Sequence, residues 1–386
     1  ITALTNIHTS FRRESESRTK MIFLSLKCSD LVLWQFFLTF VLSNYVELLQ
    51  IFMVKKTLLC LFVAAVSTLT ALSQQEEMSL RFDARADFNC QSDKNSTQSG
   101  FSGKNLNLIL DGKINSKLEY HLRQRLNKPI STYDMLDATD WIYLKYDIDN
   151  NFFVSAGKQV VAIGTFEYDY APIDCYFLSD FCNNIPCYEL GINLGFRDNA
   201  GRNTLQFQVA NSPFASSSLG SLYSYNLLWN GDFNWFKTIY SLNMIEQRKG
   251  DFINYIALGN QFSFDCFVLE LDYINRYHEK QEGFFDDFSL IANLKASIGD
   301  KWRVFVKGGY DMNKAQSPVP SNNFYHWDYC VSPGTEYGFY GAGCEFFPLR
   351  GKNDVRLHAY LYSNNQTPSK LYFNMGLTWK MQAINR

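Results

Sequence analysis

The sequence lacks the residues and patterns that mark several large classes of protein. Beyond residue 74 it has only four histidines, and none lies in a G-x-S-x-G or H-E-x-x-H motif, the usual signatures of hydrolases. The same part has no run of eighteen apolar residues, which excludes a membrane-spanning helix there. The chain carries 36 basic and 38 acidic residues, so it has no basic excess that would indicate binding to nucleic acid.

Cysteine is also scarce, with nine residues in 386. The seven that follow residue 74 are odd in number and too sparse for a disulfide-stapled scaffold. Their one cluster is DCYFLSDFCNNIPC, which contains Cys175, Cys182 and Cys187. The spacing fits no zinc site and no histidine is near, so we predict neither a metal nor a cofactor. Two interpretations stay open, a disulfide within the cluster or three free thiols in a packed loop.

Residues 53–73 have the pattern of a secretory signal peptide. Two lysines precede an apolar stretch, and Ala71 and Ser73 are the small residues expected before a cleavage site. The stretch is about 15 residues long, shorter than the roughly 20 that a membrane-spanning helix needs. We therefore expect cleavage after Ser73. On this interpretation residues 1–52 are a misassigned start, and residues 74–386 are the exported, folded chain.

Aromatic residues, in contrast, are abundant at 16% of the chain, and they are interleaved with Asn, Asp, Lys and Gly. Apolar and polar residues alternate with a period of two in many segments, which is typical of strands with one apolar face. LRFDARADF begins at Leu80, YELGINLGF at Tyr188 and WRVFVKGGY at Trp302. Exported chains with this composition and no helical span are secreted β-proteins or outer-membrane barrels.

Turn signals divide the alternating segments into sixteen predicted strands. Most are 9–12 residues long, close to the roughly 9–11 residues with which a tilted strand crosses a bilayer. An even number of strands is the rule for bacterial outer-membrane barrels. The predicted starts are Ser79, Asn105, Ser116, Asp140, Asn151, Cys187, Arg202, Ser221, Asn234, Asp251, Phe264, Asp287, Lys301, Thr335, Asp354 and Lys370.

The connections between these strands alternate between short and long. The long ones are predicted at residues 90–104, 127–139, 160–186, 277–286 and 314–334. Short turns on one side and long loops on the other are characteristic of outer-membrane barrels, whose apolar strand face also ends in aromatic residues. A soluble sandwich has strands of only about five or six residues. The predicted fold class is therefore all-β, a transmembrane antiparallel β-barrel of about sixteen strands.

The segment VSAGKQVVAIGTFEYDYAPIDCYFLSDF resembles the phosphate-selective porin O and P superfamily of Gram-negative outer membranes. The residues that carry the resemblance are Gly157, Lys158, Gln159, Gly164, Glu167 and Asp174. The resemblance implies a trimeric sixteen-stranded barrel with a loop folded into the lumen, and it makes residues 160–186 that constriction loop. These residues also form the longest connection, and loops of that length are usually functional.

Alternation places a set of basic side chains on the polar row of the strands. The predicted pore-lining residues are Arg81, Arg85, Lys117, Arg123, Lys145, Arg303 and Lys307. Acidic residues such as Asp83 and Glu119 alternate with them, so an anion preference is left open. On the constriction loop, Glu167, Asp169 and Asp174 are expected to face a wall formed by Arg81, Arg85, Arg123 and Lys145.

The function these features predict is a porin, a passive diffusion channel for small polar solutes or ions in the Gram-negative outer membrane. Its expected partners are outer-membrane lipid, small polar or anionic solutes and two further copies in a homotrimer, with no nucleic acid. One alternative is a plugged barrel that acts as an adhesin or a structural partner. A barrel enzyme is disfavoured, because none of the histidines lies in a catalytic motif. These histidines are His121, His278, His326 and His358.

Overall fold

The computed structural model describes residues 77–128, 136–215, 220–279, 281–314, 330–349, 353–367 and 370–386. The strands are β1 Met78–Ser92, β2 Thr97–Lys113, β3 Leu118–Arg125, β4 Thr139–Asp147, β5 Phe152–Val160, β6 Tyr188–Arg197, β7 Asn203–Asn211, β8 Tyr223–Asp232, β9 Phe236–Arg248, β10 Asp251–Phe264, β11 Phe267–His278, β12 Asp287–Ile298, β13 Trp302–Asn313, β14 Thr335–Leu349, β15 Asn353–Asn364 and β16 Leu371–Asn385. Two short helices, α1 Phe166–Asp169 and α2 Asp180–Asn184, lie between β5 and β6, with a 3-10 turn Pro172–Asp174 between them.

The sixteen strands form one closed antiparallel barrel in which each strand pairs with its neighbours in the chain. The ring is closed by β1 and β16, which pair from Ser79 with Asn385 to Ser92 with Leu371. The chain ends beside this seam, where the backbones of Met78 and Arg386 exchange two hydrogen bonds of 3.1 and 3.0 Å. A closed ring satisfies every strand edge without water, as a bilayer requires. The predicted fold class is confirmed. Among the described helices, none has the length and apolar content to cross a bilayer.

The strand prediction agrees closely with the structure. Fifteen of the sixteen predicted starts lie within three residues of the observed ones. The exception is β2, which begins at Thr97 and not at Asn105, so the long loop predicted at residues 90–104 is wrong. Ser92 and Thr97 are paired, and the Asp93 carboxylate accepts hydrogen bonds from two N–H groups of the tight turn between them. The extension is rich in Ser, Thr and Gly, and it therefore has no apolar alternation that could reveal it.

The connections differ in length on the two sides of the barrel. On the side of the chain ends, all turns are short, such as residues 233–235 and 265–266. The other side carries the long connections, at residues 126–138, 161–187, 212–222, 279–286 and 314–334. Parts of several of these lie outside the described residues. The two sides are called the short-turn side and the long-loop side below.

The exposure of the side chains is the inverse of that in a soluble protein. Along β12 and β13, the apolar Leu294, Val304 and Val306 are 41%, 37% and 60% exposed. On the opposite strand face, Asp272 of β11 and Asp311 of β13 are only 4% and 0% exposed. This is the arrangement of a barrel with lipid outside and a polar interior.

Aromatic residues form a belt at each end of the outer surface. Near the short turns, the rings of Trp235, Phe236, Phe262 and Phe264 lie within 5.0–6.4 Å of one another. Towards the long loops, Phe288 lies 6.2 Å from Tyr273 and 6.1 Å from Tyr310. Between the belts, the outward rows are mainly Leu, Ile and Val, and the belts mark the two interfaces of the bilayer.

The two faces of β12 should respond differently to charge. Leu294→Lys places an ammonium group in lipid and should lower the free energy of unfolding by about 2–4 kcal/mol. Asn293→Lys on the inner face should cost little, because the new side chain lies beside Glu270, which Asn293 already contacts at 2.9 Å. Urea unfolding in lipid vesicles measures both. Equal losses in the two variants would contradict the assignment of faces.

Candidate functional site

The connection between β5 and β6, residues 161–187 and called the β5–β6 segment below, lies against inward-facing side chains. Side chains of the barrel wall hold its backbone at several places. The N–H of Gly164 donates to Ser241 Oγ at 2.9 Å. The N–H groups of Phe166 and Glu167, at the start of α1, donate to the two oxygens of Asp272 at 2.9 and 2.8 Å. A carboxylate at this position satisfies N–H groups that have no partner within the helix.

Gly164 is required by this close approach. A Cβ atom there would lie 2.7 Å from the backbone nitrogen of Ser241 and 2.7 Å from the carbonyl carbon of Tyr240. These are atoms of β9 that cannot move without disturbing its strand pairing. Glycine thus allows the segment to lie directly on the wall.

A buried ion pair fixes the middle of the segment. The Glu167 carboxylate lies 2.7 Å from Lys307 Nζ of β13, and their side chains are 3% and 12% exposed. Glu167 also accepts hydrogen bonds from the N–H and the hydroxyl of Ser179. Lys307 donates in addition to the carbonyl oxygen of Phe177 at 2.7 Å. The pair thus joins both halves of the segment to one strand.

Asp174 provides a second ionic contact, with β15 and β16. Its two carboxylate oxygens lie 2.7 Å from Arg356 and 2.9 Å from Lys380. Burial by itself would raise the pKa of Asp174, but the two cations outweigh it and hold the pKa below its ordinary value. Asp174 therefore stays ionised where a free aspartate begins to take up a proton.

Arg85 of β1 holds the turn on either side of Asp174. It donates to the carbonyl oxygens of Ile173 and Cys175 at 3.2 and 2.5 Å. Its remaining donors bind Asp87 on the same strand. With Gln208 of β7, which accepts from the N–H of Ala162 at 2.9 Å, the segment has polar contacts from β7 around to β1.

Two apolar clusters pack beneath the segment. The first combines Val161, Ile163, Tyr168, Phe181 and Ile185 of the segment with Ile245, Ile253, Tyr255, Ala257, Ile274, Cys330 and Val331. The second combines Phe177 with Phe305, Tyr337, Phe339 and Tyr360 of β13, β14 and β15. Burial at this scale stabilises by about 1.5–3 kcal/mol for each large side chain, so the segment is part of the folded core.

Strands β3 to β9 leave a cavity of about 920 Å³ beside the segment. It extends from Lys128 and Asp137 on the long-loop side to Phe153 and Asn230 near the short turns. The segment contributes Tyr168, Asp169 and Tyr170 to its wall. The charged lining residues are Arg123, Arg125, Lys128, Lys145, Lys158, Asp137, Asp140 and Asp169.

Positive charge is in excess on the β3–β4 wall of this cavity. Arg123 and Arg125 share one carboxylate, that of Asp140, each at 2.6 Å. Arg123 also lies over the ring of Trp141, 4.2 Å from its centroid, and its side chain is only 2% exposed. Arg125 is 26% exposed. The uncompensated charge of this group is therefore presented to the cavity mainly through Arg125.

Six of the seven predicted pore-lining residues lie on the inward rows of the barrel. They are Arg81, Arg85, Arg123, Lys145, Arg303 and Lys307. Lys117 does not, because it lies in the turn before β3, where Asn115 Oδ1 accepts hydrogen bonds from the N–H groups of residues 117 and 118. Its ammonium group contacts the carbonyl oxygen of Ile148 in the next turn.

The predicted ionic partners of the segment need correction. Glu167 and Asp174 do not face Arg81, Arg123 or Lys145, which pair with Asp83, Asp140 and Glu119 on the wall. Arg85 does contact the segment, but through carbonyl oxygens. The segment folds towards β11–β16, so its carboxylates meet Lys307, Arg356 and Lys380 instead. Asp169 is exposed at the cavity and has no ion-pair partner among the described residues.

Sequence reasoning missed three wall residues that contact the β5–β6 segment, namely Arg356, Lys380 and Asp272. Arg356 lies in the alternating stretch DVRLHAYLY and Lys380 directly follows Trp379, so each could have been placed on an inward row. Alternation gives the face of a strand but not the partner across the barrel. Arg356 is 182 residues from Asp174 in the chain.

The described cysteines are all free thiols, including the three of the cluster. Burial raises the pKa of Cys175 to about 12 and that of Cys187 to about 11. These thiols are thus protonated at neutral pH and are poor nucleophiles. Of the two interpretations of the cluster, the structure agrees with three free thiols in a packed loop.

Comparison with known families gives a match over residues 77–245, to the family described as phosphate-selective porin O and P. The chain is an outer-membrane porin. The matched region runs from β1 into β9. It includes the whole β5–β6 segment and the residues that line the cavity of about 920 Å³. A Gram-negative outer membrane is its location.

Solved porin structures share the fold at low sequence identity. DcaP, an outer-membrane channel of Acinetobacter baumannii, is 11% identical with a TM-score of 0.55, over 80% of this chain and 98% of that one. An anion-selective porin from Comamonas acidovorans is 10% identical with a TM-score of 0.54, over 80% and 100%. OmpT of Vibrio cholerae, in a trimer form, is 11% identical with a TM-score of 0.52, over 78% and 99%. A comparison with curated protein sequences found no significant match.

The buried pair of Glu167 and Lys307 should show strong coupling. Lys307→Met leaves a buried carboxylate without its cation and should lower the free energy of unfolding by about 3–5 kcal/mol. Adding Glu167→Gln should restore much of that loss, because the uncompensated charge disappears. Urea unfolding of the two single variants and the double variant gives the coupling energy. Additive losses would show that the two side chains do not depend on each other.

Proposed function

We propose that the β5–β6 segment lies across the lumen and narrows it, and that small polar solutes diffuse passively through the cavity beside it. The contacts of the segment support this placement. Its partners are inward-facing side chains on strands from β7 around to β1, such as Gln208, Asp272, Lys307 and Arg85. A loop lying over the mouth of the barrel would not reach side chains in the middle of so many strands.

The cavity between the segment and strands β3–β9 is the proposed path. It extends along β5 from Phe153 to Val160, which is nearly the full length of that strand. A smaller cavity of about 310 Å³ lies on the other side of the segment. Its cations are engaged in ion pairs, such as Arg303 with Glu345 and Lys380 with Asp174. The larger cavity is therefore the better route for a solute.

A weak anion preference is part of the proposal. Five basic and three acidic residues line the larger cavity, and basic linings favour anions in pores. We also propose a homotrimer, the form in which the structurally similar OmpT was solved. A plugged barrel that serves as an adhesin would share the fold, and conductance separates it from a channel.

If the segment narrows the lumen, two changes should alter the single-channel conductance in opposite directions. Deletion of residues 166–181 should raise single-channel conductance in a planar bilayer, because the obstruction is removed. Gln206→Trp should lower conductance, because Gln206 lines the cavity. Phe207→Trp is the matched control on the lipid face of the same strand, where the side chain is 48% exposed. It should leave conductance unchanged.

The group of Arg123, Arg125 and Asp140 predicts how the selectivity for anions over cations should change. Arg125→Gln leaves Arg123 and Asp140 as a neutral pair, so the permeability ratio of chloride to potassium should fall towards one. Reversal potentials in a salt gradient measure it. Arg202→Gln makes the same charge change in an exposed turn outside the cavity and should have no such effect. If the wild-type protein conducts no salt, this result would favour the plugged barrel.

A further inference from the structure

We propose that the cavity favours polyhydroxylated monoanions, sugar acids such as gluconate, over simple anions of the same charge. The inference rests on the proposed function, because it names the class of solute that the diffusion path takes. It follows from two unlike walls that line the same cavity.

The first wall supplies positive charge at one place. Arg123 and Arg125 share the single carboxylate of Asp140, which leaves one charge in excess. Lys145 lies further along this wall, and its charge is compensated by Glu119 at 2.6 Å. One uncompensated guanidinium suits one carboxylate or sulfonate group, since guanidinium donors form strong charge-assisted hydrogen bonds with such anions.

The second wall is polar but uncharged. The inward rows of β5 to β8 contribute six side chains with amide or hydroxyl groups to the lining. They are Ser155, Gln159, Asn193, Gln206, Gln208 and Asn230. Amides offer both donors and acceptors, as sugar hydroxyls do, so the two kinds of group can satisfy each other. A simple anion has no hydroxyl with which to use this wall.

Two of these amides have unused hydrogen-bonding groups that are accessible, whereas the Asn193 oxygen, also without a partner among the described residues, is buried. Gln208 is occupied, since its oxygen accepts from the N–H of Ala162 and its amino group donates to the carbonyl oxygen of Val160. The Gln206 oxygen accepts from Asn193 at 2.6 Å, but its amino group has no partner among the described residues. The Asn230 side chain has none there either. Gln206 and Asn230 are therefore the groups that a solute hydroxyl would meet.

The size and the remaining lining of the cavity fit such a solute. Its volume of about 920 Å³ lies at the upper end of the roughly 300–1,000 Å³ typical of small-molecule sites. The rings of Trp141, Tyr143 and Tyr170 also line it, and they offer apolar surface to the carbon frame of a sugar acid. Because each hydrogen bond is weak in net terms, the solute is favoured but still released, as conduction requires.

The test uses two sulfonates that differ in one hydroxyl group, isethionate and ethanesulfonate, at low concentration. Isethionate is slightly larger, so sieving alone would make it the slower of the two. We expect it to be roughly two- to tenfold more permeant, the range of one net hydrogen bond. Reversal potentials and gluconate influx into proteoliposomes, relative to sorbitol influx, provide the two measurements.

A double variant, Gln206→Leu with Asn230→Leu, should reduce the isethionate to ethanesulfonate ratio to about one or below while the chloride to potassium ratio stays unchanged. Phe207→Leu, on the lipid face, should change neither ratio. A wild-type channel that conducts potassium chloride but does not favour isethionate would overturn this inference alone. Absence of conductance in every salt would overturn the proposed function and this inference with it.

Discussion

The hydrocarbon core of a bilayer cannot hydrogen-bond to a peptide group, and the rest of this structure depends on that constraint. It requires every strand to have a neighbour on both sides, and the pairing of β1 with β16 supplies the last of these contacts. Closure gives the sheet an inside and an outside. Because side chains alternate along each strand, the same sixteen strands have two faces. They present Leu and Val to the lipid, and they present carboxylates, amides and guanidinium groups to the interior.

A polar interior in turn determines how the β5–β6 segment can be held. The segment has only two short helices and no strand pairing of its own, so its backbone groups need partners elsewhere. The wall supplies them through Ser241, Asp272 and Arg85. The apolar clusters give the attraction, while the ion pairs of Glu167 and Asp174 select one position on the wall. A segment held by apolar contacts alone could slide along the aromatic surface.

Sequence reasoning was accurate where the information is local. Alternation located the sixteen strands and their faces, and turn residues located their ends, because both properties repeat within a dozen residues. The start of β2 was missed because residues 97–104 extend beyond the apolar band and show no alternation. The limits of the β5–β6 segment were also predicted, and its proposed role came from the family resemblance. Its ionic partners were not, because Lys380 and Asp174 are 206 residues apart and no periodicity reports which strands face each other.

The seam between β1 and β16 also has a consequence for the order of folding. The two strands that close the ring are the first and the last of the barrel, and Ser79 pairs with Asn385 across almost its whole sequence. Contacts so distant in the chain form slowly, since the entropy of closing the intervening loop must be overcome first. Until β16 arrives, β1 keeps an open edge that could pair with another chain. The ring therefore encloses an interior only once this seam has formed.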